Sequence, residues 1–568
     1  MANLDQIIRV ALQNEPADLV LKNGKVINVF SHEILSDLDI AIVDGYIAGL
    51  GKGYRGKEEI DVQDKFICPG FIDGHLHIES TLLSPEQFAK AVLPKGTTTV
   101  ICDPHEIANV WGAKGIEYML LSSENLPVTI FVMLPSCVPA TFLETSGATL
   151  RAEDLKPFLQ HPRVLGLAEM MNYPGVLAAL PDVLEKLNLA KEMLIDGHAP
   201  GLSGKKLQAY VGCGISSDHE CTDLEEAREK LRLGMYIMLR QGSSEHNLVD
   251  LLPLVSPMTI SRCMFVSDDK HPHDLLETGH LDYNVRLAIE HGLDPLLAIQ
   301  AVTLTPAQRF GLRDRGAIAP GYRADLLVLD DLQKVEILHV IAGGQVVVKN
   351  KELLFSFDGH RAVISKSELT ISRDLDFRIP VRGEQIRVIE LVCGQILTRE
   401  LRQKPKVEQG LVVSDPARDI LKLAVIERHK ATGNVGLGFV HGFALRSGAL
   451  ASTVSHDSHN LIVVGANDQD MLLAIETLRK SGGGFAVVNK GQVKACLPLP
   501  IAGLMSDRSL EEVALAMKDI ETASQELAGI PNAFMLLSFL ALPVIPSLRL
   551  TDKGLVDVNH FKLVDLFV

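Results

Sequence analysis

Between residues 66 and 269 the chain repeats one pattern, a short apolar run followed by a stretch of helical character. The runs are rich in β-branched residues and are about four to eight residues long, which favours buried parallel strands. They cover residues 66–73, 97–103, 128–134, 164–169, 193–198, 214–219, 236–240 and 264–269. Eight strands with intervening helices predict a (β/α)8 TIM-type barrel. The alternative, an open doubly wound sheet, lacks a G-x-G-x-x-G after its first strand.

The segments between the runs begin like helices. Ser84-Pro85 precedes Glu86, and Thr222-Asp223 precedes an acidic stretch. A hydroxyl or carboxylate at the N-cap and a proline in the first turn are typical of helix starts.

Strand-rich segments flank the barrel on both sides and predict one small β-sandwich built from both. Asn23-Gly24, Asp44-Gly45 and Gly343-Gly344 are turn-type dipeptides, of which the first two predict β-hairpins. The expected domains are 1–66 and 313–365 for the small β domain, 67–312 for the barrel, and 366–568 for a C-terminal α/β domain.

Composition limits the function classes. The formal net charge is −16, so a general nucleic-acid binder is not expected. The eight cysteines are scattered without a C-x-x-C pair, which indicates a reducing compartment. The start has no secretory pattern, and the longest apolar run, 533–545, is too short to span a bilayer. We therefore expect a cytoplasmic protein without a membrane partner.

Metal-ligating residue types fall where the predicted strands end. Six positions carry them: His75, His77, Glu169, His198, His219 and Asp268. Residues two apart on an extended segment point to the same side, so both imidazoles of His75-Leu-His77 can reach one ion. The carboxyl ends of barrel strands are where active sites are built. Four imidazoles and two carboxylates suffice for two divalent ions with a bridging carboxylate and a hydroxide between them.

Several segments resemble the amidohydrolase superfamily, and within it the chain is similar to bacterial adenine deaminases over nearly its whole length. They start at Pro69, Cys102, Glu169, Asp196, Ser217, Ser267 and Ser452, and include Pro69-Gly-Phe-Ile-Asp-Gly-His-Leu-His and Ser452-Thr-Val-Ser-His-Asp-Ser-His-Asn. Hydantoinases and dihydroorotases use a carboxylated lysine at strand four, where this chain has Glu169. That departure is shared with the adenine deaminases.

The resemblance implies hydrolytic deamination of adenine to hypoxanthine and ammonia, with hydroxide added at C6. It places His75, His77 and Asp268 on one ion, His198 and His219 on the other, and Glu169 on both. The implied metals are Mn(II) or Fe(II), with Zn(II) as an alternative. Asp268 is the expected proton shuttle, and a homo-oligomer is the expected assembly.

Other residues remain open between binding and structural roles. Glu106, Glu220, Asp269 and His271 are candidate substrate-binding residues, with His273 also near the pocket rim; Glu106 and Glu220 could each protonate the purine ring. His456, Asp457 and His459 could form a third metal site, a loop closing over the barrel mouth, or structural hydrogen bonds.

Two alternative functions are considered. A cyclic amide hydrolase of the hydantoinase or dihydroorotase type is disfavoured by Glu169. A non-enzymatic assembly protein on the same fold would not be expected to retain all six ligand positions.

Overall fold

The computed structural model describes residues 3–357, 368–372, 374–392 and 397–568. The predicted domain boundary between residues 365 and 366 lies outside these ranges, as does Cys393. The N-terminal part contains one helix and five strands: α1 (Leu4–Ala11), β1 (Ala17–Asn28), β2 (Glu33–Val43), β3 (Tyr46–Gly51), β4 (Gly56–Asp61) and β5 (Phe66–Pro69).

The two dipeptides predicted to form β-hairpins adopt different structures. Asp44-Gly45 forms the two-residue turn that joins β2 to β3, with Val43 opposite Tyr46. The hairpin predicted at Asn23-Gly24 is wrong, because β1 runs through it and the pairing with β2 shifts register there. Asn23 adopts a φ of 57°, a left-handed conformation that asparagine tolerates. The same local preference therefore produces a bulge inside a long strand.

The barrel consists of eight parallel strands in two sheets. The strands are β6 (Phe71–Leu76), β7 (Thr97–Cys102), β8 (Thr129–Leu134), β9 (Val164–Met170), β10 (Leu194–Gly197), β11 (Ser217–Asp218), β12 (Tyr236–Arg240) and β13 (Cys263–Val266). Their order is β10-β9-β8-β7-β6 in one sheet and β11-β12-β13 in the other. The predicted run 66–73 thus divides into β5, which belongs to the small domain, and the start of β6.

Helices connect and cover these strands. They are α2 (Pro85–Val92), α3 (His105–Trp111), α4 (Ala113–Ser122), α5 (Ala152–Leu155), α6 (Tyr173–Leu177), α7 (Pro181–Leu189), α8 (Gly204–Gly212), α9 (Leu224–Arg232), α10 (Leu248–Leu251), α11 (Pro272–Glu277), α12 (Leu281–Glu290), α13 (Pro295–Ala301) and α14 (Leu304–Arg309). Ser84 caps α2 by accepting the Gln87 N–H, and Asp223 caps α9. Both helix starts predicted from the sequence are therefore formed by the expected side-chain chemistry.

The first and last barrel strands join through backbone contacts. The Asp268 N–H donates to the His75 carbonyl at 3.1 Å, and Leu76 and Asp268 form a parallel bridge. Asp73, in β6, accepts from the Ser267 N–H through both oxygens at 3.2–3.3 Å. These contacts bring the ends of β6 and β13 together, where three of the predicted ligand positions, His75, His77 and Asp268, lie side by side.

After the barrel, the chain returns to the small sheet with β14 (Leu326–Leu329), β15 (Ile337–Ala342), β16 (Gln345–Lys349) and β17 (Glu352–Leu353). The sheet order is β17-β16-β15-β14-β5-β1-β2-β3, with β4 also paired to β1. Strands from both flanks of the barrel thus form one nine-stranded sheet. Apolar side chains from its two parts, including Leu21, Ile40, Leu326 and Ile341, meet in one buried cluster.

The described residues of the C-terminal domain form thirteen strands and three helices. The strands are β18 (Ile386–Leu391), β19 (Thr398–Gln403), β20 (Lys406–Glu408), β21 (Leu411–Val413), β22 (Ile420–Ile426), β23 (Val435–His441), β24 (Ala449–Ser452), β25 (Leu461–Gly465), β26 (Gly484–Asn489), β27 (Gln492–Pro498), β28 (Leu548–Thr551), β29 (Gly554–Asp557) and β30 (Lys562–Val564). The helices are α15 (Asp468–Ser481), α16 (Leu510–Ala528) and α17 (Ala533–Phe539).

Eight of these strands form one sheet in the order β19-β18-β23-β22-β25-β24-β26-β27. Helix α15 packs on β24, β25 and β26, whereas α16 packs on β26 and β27 and also contacts α2 and α11 of the barrel. None of the helices within the described ranges is long and apolar enough to cross a membrane.

Candidate metal centre

All six predicted ligand residues lie at one end of the barrel. His75 and His77 stand at the end of β6, and Glu169 is in β9. His198 and His219 directly follow β10 and β11, and Asp268 is the second residue after β13. Five of the six side chains are buried, and His198 is the partly exposed member. The parallel strands place their carboxyl ends at the same rim, which brings together residues almost 200 positions apart in the sequence.

Glu169 occupies the middle of the cluster. Its Oε1 lies 3.3 Å from His77 Nε2 and 4.0 Å from His75 Nε2. Its Oε2 lies 2.6 Å from His198 Nδ1 and 3.3 Å from His219 Nε2. Each oxygen therefore faces one pair of imidazoles, which is the arrangement a bridging carboxylate requires.

Asp268 closes the cluster on the side of β6. Its Oδ1 is 3.4 Å from His75 Nε2 and 3.3 Å from His77 Nε2, and its Oδ2 accepts from Arg240 Nη1 at 3.0 Å. Its φ of 56° places a non-glycine residue in the left-handed region. That conformation costs free energy and is held by the surrounding backbone bonds.

The donor set fits divalent cations. His75 Nε2 is buried and has no hydrogen-bond partner among the described residues, which is costly unless another group binds it. His77 Nδ1 lies 3.0 Å from the Asp103 carbonyl. Donation to that carbonyl leaves the Nε2 lone pair directed at Asp268 and Glu169, and a metal-ligating histidine is commonly oriented by such a hydrogen bond from its other ring nitrogen.

Charge complementarity points the same way. Burial opposes ionisation of Glu169, but His219 and His198 outweigh it and hold the pKa of its carboxyl well below the usual range. Burial likewise opposes ionisation of Asp268, and His75 and His77 hold its pKa low. The described residues thus contain a buried His/Asp/Glu cluster of the metal-ligating type.

The four predicted substrate-binding residues have different surroundings. Glu220 is paired with Arg240 through both oxygens and lies 3.5 Å from His219 Nε2. Asp269 Oδ1 accepts from the Ser80 hydroxyl, and the His271 backbone N–H donates to Ser243 Oγ at 2.8 Å.

Glu106 is the fourth of these residues, and both of its oxygens are occupied. His456 Nδ1 lies 2.7 Å from its Oε1, and His459 Nε2 hydrogen-bonds its Oε2. The C-terminal domain therefore reaches the barrel rim through the His456–His459 region.

Two features of the site were missed from the sequence. Arg240, the last residue of β12, joins Glu220 to Asp268. The sequence signal for this role was a charged residue at the carboxyl end of a predicted strand. His105 Nδ1 lies 3.0 Å from Asp103 Oδ2 and 3.6 Å from Glu169 Oε1. The sequence Asp103-Pro-His105 after the second strand carried a ligand-type pattern.

Comparisons with known proteins agree with this architecture. The amidohydrolase family model matches residues 66–347, and the model of the adenine deaminase C-terminal domain matches residues 395–562. An adenine deaminase 2 from Carboxydothermus hydrogenoformans and an adenine deaminase from Desulfatibacillum aliphaticivorans are each 51% identical to the chain, over 99% of both sequences.

Similar solved structures include a β-aspartyl dipeptidase from Fervidobacterium islandicum and an adenine deaminase. The first has a TM-score of 0.46 and 19% identity, covering 60% of this chain and 100% of its own. The second has a TM-score of 0.45 and 18% identity, covering 58% of this chain and 99% of its own.

Proposed function

The chain belongs to the adenine deaminase family of amidohydrolases, and from that premise we propose that it hydrolyses adenine to hypoxanthine and ammonia. The observation that carries the proposal is the 51% sequence identity, over 99% of the chain, to proteins named adenine deaminase. The convergence of five other ligand-type side chains around Glu169 supports a site for the reaction.

We assign two divalent ions to this site. His75, His77 and Asp268 would hold one, His198 and His219 the other, and Glu169 both. Mn(II) or Fe(II) is proposed, with Zn(II) as the alternative. Ions of this kind lower the pKa of bound water towards about 7 and so supply a nucleophile at neutral pH.

Asp268 is the proposed proton carrier. Attack of water at C6 requires a base, and expulsion of the amino group requires an acid. The Asp268 carboxylate would accept the proton from the attacking oxygen and deliver it to the departing nitrogen, so that the C6–N bond breaks and ammonia leaves. Arg240 donates to Oδ2 at 3.0 Å, which orients the carboxylate so that Oδ1 faces His75 and His77.

The test is to purify the protein from Mn-supplemented cells grown with an iron chelator, then to measure metal content, adenine loss by absorbance, and ammonia. We expect close to two metals per chain and release of ammonia from adenine. Two bound metals without adenine turnover would indicate that the substrate is another amide or amidine. Absence of bound metal would overturn the ligand set.

A further inference from the structure

A segment of the C-terminal domain, residues 453–460, lies against the barrel rim; we call it the mouth segment. Three of its side chains hydrogen-bond the barrel. His456 and His459 both hydrogen-bond Glu106, at the start of α3, and Asn460 Nδ2 donates to the Thr145 carbonyl at 2.8 Å. The segment is thereby anchored to loops that follow two different barrel strands.

His459 serves as an anchor. The Ser455 backbone N–H donates to His459 Nδ1 at 3.2 Å, so the proton of the neutral ring is on Nε2. That N–H donates to Glu106 Oε2. Both ring nitrogens are therefore used inside the protein, and neither is left for a ligand.

His456 is fixed on three sides but keeps one nitrogen unused. Its Nδ1 bonds Glu106 at 2.7 Å, its ring stacks on Phe539 with centroids 4.8 Å apart, and its backbone N–H donates to the Ser538 carbonyl at 3.1 Å. No hydrogen bond joins its Nε2 to any of the described residues. This nitrogen is also not fully buried. The side chain is 13% exposed, so an oriented imidazole edge faces an accessible space.

His456 lies close to the candidate metal cluster through a chain of side-chain contacts. His105 links the two sites, because its Nε2 lies 3.5 Å from Glu106 Oε1 and its Nδ1 lies 3.6 Å from Glu169 Oε1. Although burial alone would lower the pKa of His456, Glu106 and then Asp269 raise it to about 9.

We propose that His456 is a substrate-contacting residue supplied by the C-terminal domain, whose Nε2 hydrogen-bonds a ring nitrogen of the purine. Glu106 and His459 are positioning residues that hold the mouth segment. This inference rests on the proposed function, since purine ring nitrogens are the hydrogen-bond acceptors the imidazole would meet. Under this proposal Glu106 does not contact the substrate, because its two carboxylate oxygens already bind His456 and His459.

Two substitutions separate contact from anchoring. In His456→Asn the amide N–H stands near the position of Nδ1 and can still donate to Glu106, but nothing replaces Nε2. In His456→Gln the amide reaches the position of Nε2 instead. The full-length, Mn-loaded variants are compared with wild type for metal content, thermal unfolding and steady-state kinetics on adenine.

We expect His456→Asn to keep its metals and to lose about ten-fold or more in kcat/KM, chiefly through KM, as a lost hydrogen bond predicts. His456→Gln should retain more of the wild-type kcat/KM. His560→Asn, which changes an exposed imidazole of the same domain, is the matched control and should leave the kinetics unchanged. If His456→Asn does not fold, the kcat/KM of His456→Gln is compared with that of wild type to test the contact.

Analogues identify the contact. The inhibition constants of 1-deaza-, 3-deaza- and 7-deazaadenine are measured for wild type and His456→Asn. We expect the one analogue that lacks the contacted nitrogen to bind both proteins equally, while the other two bind the variant more weakly. Unchanged kcat/KM in a folded variant, or equal weakening of all three analogues, would overturn the inference. An inactive wild type with two metals would instead overturn the proposed function, and this inference with it.

Discussion

Asp268 joins several roles in one residue. Its backbone closes the barrel between β13 and β6, its Oδ1 faces two imidazoles, and its Oδ2 is held by Arg240. The positive φ at this position aims the carboxylate into the cluster. A shorter or uncharged side chain could keep the fold but could not perform the proposed proton transfer from the attacking oxygen to the departing nitrogen.

We expect Asp268→Asn to lower kcat by about 100- to 10 000-fold, the usual contribution of a general acid–base. The measurement is adenine turnover normalised to bound metal. Asp182→Asn, an exposed position in α7, serves as control. Near-wild-type turnover by a metal-replete Asp268→Asn protein would exclude the shuttle role.

Arg240 neutralises two carboxylates, that of the half-buried Glu220 and that of the buried Asp268. Arg240→Met would leave both without their cationic partner, so we expect the free energy of unfolding to fall by about 3–5 kcal/mol. Denaturant unfolding measures it. Arg228→Met, which breaks an exposed pair with Glu225, should change stability by less than about 1 kcal/mol. Equal effects of the two substitutions would contradict this assignment.

At the scale of elements, helix α9 braces the strands that carry His198 and His219. Lys230 is fully buried and donates to the Ala199 carbonyl at 2.7 Å and to Asp218 Oδ2 at 3.0 Å. Asp218 Oδ1 in turn accepts from the Ala199 N–H at 2.7 Å. One lysine thus ties the residue after His198 to the residue before His219.

Lys230→Met should therefore weaken metal binding as well as stability. We expect loss of about 3–5 kcal/mol in the free energy of unfolding, because a buried carboxylate loses its partner, and a higher dissociation constant for Mn(II). Calorimetric metal titration of the apoprotein measures the second effect. Lys205→Met, exposed on α8, is the control; unaltered Mn(II) affinity in Lys230→Met would show that α9 does not set the ligand geometry.

Elements also show where local signals suffice. Asp44-Gly45 and Gly343-Gly344 join adjacent strands, with Ala342 opposite Gln345 in the second case. Asn23-Gly24 has the same local chemistry but lies within β1, because strand pairing on both sides of it continues. Turn chemistry predicts a special backbone conformation, and the neighbouring strands decide whether the chain reverses there.

For the whole molecule, the metal centre should contribute to stability. Ligands that bind only the folded state stabilise it, by about 2.7 kcal/mol at a free concentration 100 times the dissociation constant. We expect chelation to lower the Tm and added Mn(II) to restore it. Glu169→Gln, which weakens the bridging position, should respond less to Mn(II). A Tm independent of metal in the wild type would contradict a centre built into the fold.

The homo-oligomeric assembly and the cytoplasmic location of the protein stay predictions.

The eight strands, the helix caps and the six ligand-type residues could be read from the sequence, because burial, capping and ligand chemistry depend on residue type and short spacing. The pairing of Arg240 with Asp268 and the contact of His456 with Glu106 could not. Those partners lie 28 and 350 positions apart, and no local preference relates them. Barrel closure sets the first contact, and docking of the C-terminal domain on the rim sets the second, since both depend on the packing of complete elements.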